Sequence, residues 1–331
     1  MVSIQQIEVG YPGKGGMQQV LSGINLQAEK NELVAMVGRN GAGKTTLMKA
    51  MVGLHTPLGG SIFLDGKDLV HLGRKELSRM ISYLSTDLIH SPSMTVYDLV
   101  ALGRYPYTRW LGLLEPADKE WIDKAMEYTH VSSFARKSLN DLSDGERQRA
   151  MIARALAQDT PLMVMDEPAA FLDVVNRYEI MMMLRKMCRE EGKTVIVSTH
   201  DLSMAIHEAD KVWLLNQGGA VQGAPEDLIL QGMFRNLFQG SRVSVDDQSG
   251  AIQLQHPFMG NASLEGEGME TEWTRKALDR CGFRISNHEP LFRVIVKTDG
   301  EGCYWKFQKN GEELMFRNIY ELTLLIRNKF H

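Results

Sequence analysis

The 331-residue chain has little of what marks several protein classes. Its three cysteines, Cys188, Cys281 and Cys303, are scattered, odd in number and without metal-ligand spacing. This argues against a disulfide scaffold and fits a reducing cytosol. Long apolar runs are missing as well. The longest strictly apolar stretches, such as Leu33 to Val37, have five residues, whereas a bilayer-spanning helix needs about 20. The chain is therefore expected not to cross a membrane. No basic stretch leads into an apolar one near the start, so no secretory signal is expected. Charge of one sign is also lacking: 37 Lys and Arg stand against 41 Asp and Glu, a formal charge of −4. Dedicated nucleic-acid binders are usually strongly basic, so nucleic acid is not an expected partner. No internal repeat is evident.

What is present is ordinary for a folded protein: 44% apolar and 24% charged residues. The length allows about two domains, with a core that requires neither disulfides nor a structural metal. Residues 1–30 suggest short strands around a Gly-rich turn at Gly10-Tyr-Pro-Gly-Lys-Gly-Gly. Leu33–Val37 has the continuous apolar character of a buried parallel strand. A helical pattern runs from Lys44 to about Val52, and residues 62–64 and 81–84 suggest strands. From Thr95 to about Lys137 the pattern is helical, interrupted at Tyr105-Pro106. A helix at Gly145–Gln158, a strand at Leu162–Met165 and a helix at Arg177–Glu191 follow, then strands at Val195–Ser198 and Val212–Leu215. Strands alternating with helices predict an α/β fold with a mixed, largely parallel sheet.

Composition changes after about Gly240. Val243-Ser-Val and Ile252-Gln-Leu flank Asp246–Gly250 as in a hairpin, and His256–Glu270 reads as a linker. A small α+β unit is expected beyond it: helices near Trp273–Arg280 and Ile319–Asn328, strands near Phe292–Lys297 and Tyr304–Phe307. Its core is expected from Leu291-Phe-Arg-Val-Ile-Val and Leu322-Thr-Leu-Leu-Ile. Residues 241–331 hold 12 basic and 13 acidic residues and carry no nucleic-acid footprint.

Chemistry enters at Gly38-Arg39-Asn40-Gly41-Ala42-Gly43-Lys44-Thr45, followed by Thr46. This matches G-x-x-x-x-G-K-[ST] between an apolar strand and a helix, the context that separates it from a chance Gly-rich turn. Glycines let backbone N–H groups converge on phosphates, and the helix start adds partial positive charge. Lys44 is expected on the β- and γ-phosphates and the Thr45 hydroxyl on Mg²⁺. Leu162-Met-Val-Met ends in Asp166 and Glu167. Beside a phosphate loop, such acids suit Mg²⁺ binding and activation of water; alone they would be two solvated carboxylates. Leu142-Ser143-Asp144-Gly145-Glu146-Arg-Gln-Arg begins 24 residues before Asp166 and opens a helix. It reads either as a second anion site or as an ordinary Ser-capped helix.

Together these segments resemble the ATP-binding subunit of ABC transporters over roughly residues 1–240. Gly38–Thr45 resembles the Walker A segment and Leu162–Asp166 the Walker B segment, followed by Glu167. Leu142–Glu146 resembles the signature, Phe171-Leu-Asp173 the D-loop and Val197-Ser-Thr-His200-Asp201 the switch segment. The resemblance implies a P-loop ATPase domain over 1–240, with a helical subdomain at about 87–158; it covers little of residues 241–331 beyond the hairpin, and the accessory unit there is read from composition and pattern. The resemblance also implies two copies closed head-to-tail around two ATP molecules, with Mg²⁺ at Thr45 and Asp166. Ser143, Gly145 and Glu146 would face the partner's ATP, Glu167 would activate water, His200 would contact the γ-phosphate and Asp173 would link the sites. Tyr11 resembles the aromatic that stacks on adenine; packing of the turn is the alternative for it, as a core position is for His200.

Beyond Glu146 in place of the signature's Gln, a replacement common in the family, two positions depart from the pattern. Asp144 replaces a signature glycine and must point away from a γ-phosphate or repel it. Thr86, in Tyr83-Leu-Ser-Thr86, stands where the family usually has a Gln near Mg²⁺; Asp87 is the neighbouring alternative. Thr95–Trp110 resembles a segment of ATPases that energise uptake of iron–siderophore complexes, haem and vitamin B12. The implied partners are polytopic membrane permease subunits and, indirectly, a substrate-binding protein. Tyr105, Tyr107 and Trp110 would line a groove for a short permease helix, or merely pack the helical subdomain. The implied place is peripheral, at the cytoplasmic face of the inner (cell) membrane. An exporter ATPase, a soluble non-transport ABC ATPase and a P-loop kinase are the competing readings. For the last unit the choice is between stabilising or regulating the dimer and mere decoration.

Overall fold

The structure is a computed structural model that describes residues 1–13, 16–86, 94–108, 112–170, 172–216, 219–238, 242–246, 250–300 and 302–330. Two long antiparallel strands, β1 (Val2–Gly13) and β2 (Gly16–Ala28), open it. The expected short strands around a turn at residues 10–16 are thus corrected: β1 continues through Gly10, Tyr11 and Pro12, which pair with Gln19, Gln18 and Met17. Ile4 and Ile7, three apart, are both buried. Strict alternation would expose one of them, and the ladder avoids this with a register shift at Gln5-Gln6, where Gln6 has φ 47°.

Chain order continues with β3 (Leu33–Gly38), α1 (Lys44–Met51), β4 (Gly59–Leu64), β5 (Lys67–Asp68), α2 (Arg74–Met80) and β6 (Ile81–Leu84). Then come α3 (Val96–Ala101), α4 (Pro116–Tyr128), α5 (Asp144–Ala157), β7 (Leu162–Met165) and α6 (Val174–Glu190). After these lie β8 (Thr194–Thr199), α7 (Leu202–Glu208), β9 (Lys211–Asn216), β10 (Gly219–Gly223) and α8 (Pro225–Leu230). One sheet has the order β2-β1-β4-β5, all antiparallel. The other has the order β10-β9-β3-β8-β7-β6, parallel throughout except for β10 at its edge.

Every residue of β3 is buried, and its two faces serve two cores. Val34 and Met36 pack with β1, β2 and α1, while Leu33, Ala35 and Val37 pack with residues of α5, α6 and α7. Burial on both faces is why the strand reads as an unbroken apolar run.

The helical reading of residues 95–137 resolves into short pieces. A Thr95–Asp98 capping box starts α3, and Pro116 at the first position of α4 starts the next helix. Arg104 and Asp118 form a buried ion pair at 2.9 Å. Arg104 also donates to the Ala157 carbonyl at 2.8 Å, and Asp118 accepts from the Glu115 N–H at 3.0 Å. The pair therefore ties the α3–α4 connection to the end of α5. Among the described residues no helix is long and apolar enough to cross a membrane.

The chain divides into two compact units, Met1–Gln239 with Val245–Ile252, and Gly240–Ser244 with Gln253–His331. Strands β11 (Val243–Val245) and β12 (Ile252–Leu254) pair as the expected hairpin. The linker expected at 256–270 is corrected: it contains β13 (Gly260–Glu265) and the start of α9 (Met269–Arg280). The glycines that suggested a linker bracket this strand. At Gly266, φ 140°, a Cβ would lie 2.5 Å from Thr271 Oγ1, so the residue marks close packing rather than a tether.

With β14 (Phe283–Ile285), β15 (Arg293–Asp299), β16 (Gly302–Lys309) and β17 (Glu312–Phe316), β13 forms a sheet ordered β14-β13-β15-β16-β17. Together with α10 (Ile319–Phe330), it buries Phe292, Val294, Trp305, Phe307, Leu322 and Ile326. Leu291 and Leu324, assigned to this core from sequence, are exposed.

Replacing Asp118 with Ala leaves the Arg104 charge buried without its partner. The unfolding free energy should fall by about 3–5 kcal/mol in urea denaturation. Asp118→Asn keeps an acceptor oxygen and should lose less.

Candidate nucleotide site at the strand ends

Parallel strands β3, β7 and β8 end side by side; Gly38 closes β3 and opens the loop to Thr45, and Asp166-Glu167 and His200 follow β7 and β8. In the loop after β3, Gly41 and Gly43 adopt φ 80° and 93°. A Cβ on Gly43 would lie 2.8 Å from Val20 and 2.9 Å from Leu21, so only glycine fits there. The loop is closed by the Ala42 N–H donating to the Arg39 carbonyl at 3.0 Å. Arg39, Asn40, Gly41 and Thr45 are exposed, while Ala42, Lys44 and Thr46 are buried. The Lys44 ammonium donates to the Gly38 carbonyl at 2.8 Å. Burial pulls its pKa down, and the nearby charges of Glu167 and Asp166 pull it back in part.

Asp166 is buried at the end of β7. Its Oδ1 accepts from the Ser198 hydroxyl at 2.6 Å, and Ser198 Oγ accepts from the Glu167 N–H at 2.9 Å. One buried hydroxyl on β8 thus orients both acidic positions. Ser198 is a site residue that the motif reading passed over. The signal was present: a polar residue at the end of an apolar strand, one place beyond the Met165–Val197 pairing and so level with Asp166. Glu167 holds a left-handed φ of 51°, a conformation that costs a non-glycine residue roughly 1–3 kcal/mol. Its carboxylate pairs with His200 Nε2. His200 is exposed, which argues against a core role for it. Glu167, Ser198, His200, Asp201 and Arg177 line a cavity of about 360 Å³.

A smaller cavity, also bordered by Glu167, is lined by Thr86, Asp144, Arg147 and Gln148. The structure therefore brings both departures, Thr86 and Asp144, to the Glu167 neighbourhood of their own chain. Asp87 lies outside the described residues, as do Trp110 and Phe171.

At the start of α5, Ser143 and Glu146 form a capping box. The Glu146 N–H donates to Ser143 Oγ at 3.3 Å, and the Ser143 N–H donates to the Glu146 carboxylate at 2.8 Å. That backbone bond is the main reason the Glu146 pKa lies below its usual value. Asp173 caps α6 by accepting from the Asn176 N–H and side-chain amide, both at 2.8 Å. These bonds hold its pKa down as well. Gly145 is buried against Asn176, whose Oδ1 would lie 3.1 Å from a Cβ at that position. The α5 start and the Asp173 turn are thus packed together within one chain. Among the described residues, no hydrogen bond or ion pair joins the Ser143–Glu146 turn to residues 38–46.

Tyr11 lies on β1, 42% exposed, with its hydroxyl 3.1 Å from Thr46 Oγ1. As donors for a cation, Thr45 Oγ1 and the Asp166 carboxylate are hard oxygens. They fit Mg²⁺, which takes one or two protein ligands together with water and phosphate oxygens.

Residues 21–170 match the ABC transporter family model, and residues 259–327 match the iron ABC transporter C-terminal domain. The chain is 33% identical to the ferric enterobactin transport ATP-binding protein of Escherichia coli, over 76% of this chain and 92% of that protein. It is also 33% identical to the achromobactin transport ATP-binding protein of Dickeya dadantii, over 72% of this chain and 87% of that one. Among solved structures it is similar to a dimeric ATP-binding cassette in a post-hydrolysis state bound to ADP and phosphate. The identity there is 27%, with 68% of this chain and 99% of that chain covered and a TM-score of 0.60.

Burial disfavours the charged form of Lys44, so the group costs stability below its folded pKa, and the cost fades as pH rises toward the unfolded value. Lys44→Met should therefore melt no lower than the parent at pH 7. Any advantage should shrink as the solution is made alkaline. Saturating MgATP, which raises the parent's melting temperature, should no longer do so.

Proposed function

The chain belongs to the ABC transporter ATP-binding proteins and hydrolyses ATP, and from that premise we propose that it is the ATPase subunit of an importer, working as a head-to-tail pair of copies. The observation that carries this reading is the meeting of Asp166, Glu167 and His200 beside the buried Lys44 at adjoining strand ends. That the Ser143–Glu146 turn makes no hydrogen bond or ion pair to residues 38–46 among the described residues supports a second copy. In this reading each ATP is capped by the partner's turn.

The residues divide the work by their chemistry. The N–H groups of residues 39–46 and the Lys44 ammonium cradle the phosphates. Tyr11 offers its exposed ring to adenine. Bound between Thr45 and Asp166, Mg²⁺ would neutralise phosphate charge. Glu167 takes a proton from the attacking water as its oxygen bonds to the γ-phosphorus and the bond to the ADP oxygen breaks. His200 Nε2 bonds to Glu167; moving that bond to the γ-phosphate frees the carboxylate for water. On the partner, the Ser143 oxygen accepts from Glu146 N–H, so its own hydrogen remains to donate to the γ-phosphate. Gly145 brings the helix start close, Glu146 keeps the turn shaped, and Asp173, through Asn176, connects that turn to the neighbouring site.

The permease is the other proposed partner. Leu54, Leu77, Tyr83, Leu102, Arg154 and Gln158 line an open groove between the cassette core and the helical subdomain. Leu54 and Leu102 are exposed there; Tyr105 is exposed too, but it does not line this groove. Tyr107 instead packs between Arg79 and Arg104, 5.0 and 4.0 Å from its ring, and serves the subdomain. A short helix of a polytopic membrane protein suits the groove. The subunit would then sit peripherally on the cytoplasmic face, with a substrate-binding protein acting indirectly from the far side. The match of residues 259–327 to an iron transporter C-terminal domain favours an iron–siderophore cargo over haem or cobalamin within the same group.

Glu167→Gln should bind ATP, hydrolyse it at least about 100-fold more slowly and elute as a dimer with MgATP. Rapid turnover by this variant would refute the role given to Glu167. Ser143→Arg should block that dimer while leaving ATP binding by the single chain nearly intact; a kinase would be indifferent to the change. Purification of the tagged chain from gently solubilised membranes should retain a polytopic protein in roughly equal amount. Recovery of soluble partners alone would move the assignment to a non-transport ATPase.

A further inference from the structure

We infer that His55 is a positioning residue for the nucleotide base, acting by holding the Tyr11 ring in place. This rests on the proposal that Tyr11 receives adenine.

The geometry is specific to three side chains. The rings of Tyr11 and His55 lie 4.8 Å apart between centroids, tilted by 46°. His55 Nε2 is 2.9 Å from the Gly10 carbonyl oxygen, so Nε2 carries the proton and donates. The imidazole therefore grips both the ring of Tyr11 and the backbone immediately before it. A Cβ on Gly10 would lie 2.3 Å from the Gln18 carbonyl oxygen, so this part of β1 tolerates no side chain. Tyr11 follows directly and is still 42% exposed, which leaves surface for a ligand.

His55 is itself anchored. Its N–H donates to the Lys49 carbonyl at 3.1 Å, and the Leu54 N–H donates to the same oxygen at 2.8 Å. Both bonds fasten it to the last turn of α1. At the other end of α1, Thr46 Oγ1 bonds the Tyr11 hydroxyl. The helix that begins at Lys44 is thus linked to Tyr11 at both of its ends, directly through Thr46 and indirectly through His55. An eight-residue helix is stiff and about 12 Å long. It sets the distance between the phosphate loop and the Tyr11 ring, so ligand binding need not freeze a free aromatic side chain.

The test uses the full chain and two probes, MgATP and Mg-tripolyphosphate, which carries the phosphates without a base. Binding would be measured by titration calorimetry for the parent, His55→Ala, Tyr11→Ala and the double variant. An aromatic contact of this kind predicts that His55→Ala weakens ATP binding by about 2- to 10-fold and changes tripolyphosphate binding less than about twofold. The KM for ATP should rise while kcat holds, and the double variant should bind ATP no more weakly than Tyr11→Ala alone. His55→Gln keeps a donor for the Gly10 carbonyl but removes the ring. It should show the same loss restricted to ATP, which guards against a folding defect in the alanine variant.

An equal loss for tripolyphosphate would overturn the inference, because His55 would then shape the phosphate loop. Additive losses in the double variant would also overturn it, because His55 would act without Tyr11. Normal ATP binding by His55→Ala beside impaired Tyr11→Ala would sink the inference and leave the Tyr11 proposal standing. Normal binding by both variants would sink the two together.

Discussion

Parallel strands covered on both faces must end along one edge, and their last residues are the first that escape the apolar layers. In this chain β3, β7 and β8 end together, with Gly38 and Thr199 as the last residues of β3 and β8 and with Asp166 and His200 just beyond β7 and β8. The buried Ser198 hydroxyl joins two of these ends by accepting from the Glu167 N–H and donating to Asp166. A buried carboxylate without such a donor would be costly. The bond therefore satisfies Asp166 and also orients Glu167. The left-handed turn at Glu167, its contact with His200 and the proximity of Lys44 all depend on this junction.

A second junction lies away from the strand ends. Gly145, inside the Ser143 capping box, packs against Asn176, which Asp173 holds by two hydrogen bonds, so the starts of α5 and α6 are in close contact. Motion at one helix start must be felt at the other, because the van der Waals gap at Gly145 has no slack for a Cβ. This gives a physical basis for proposing that events at one ATP reach the partner's site. The same packing places Asp144 and Thr86 beside Glu167 of their own chain, and Arg147 lines that cavity with them.

The C-terminal unit was less legible than the cassette, and β13 shows why. Its buried residues, Ala262 and Ser263, are small, and it is bracketed by glycines that serve close packing. A strand of this kind has no hydrophobic alternation to detect. The unit's polar anchor, the Trp305 indole N–H donating to Thr274 at 2.6 Å, joins α9 to β16 across 31 residues. No local pattern carries such information.

In the cassette, local pattern reached far. The apolar run of β3, the glycine spacing after it, the acids closing β7 and the Ser-Thr-His after β8 were legible because each is a stretch whose chemistry depends on neighbours in the chain. Local pattern alone marks an α/β phosphate-binding fold, and the resemblance of these segments to ABC ATPases adds the hydrolysis. The tertiary structure decided what depends on residues distant in sequence: that Ser198 bridges Asp166 and Glu167, that Tyr11 is on a strand facing Thr46 and His55, and that Gly145 lies against Asn176. Residue spacing predicts which face of an element a side chain occupies. Which element lies opposite that face is set by close packing of the whole chain, and no segment carries it alone.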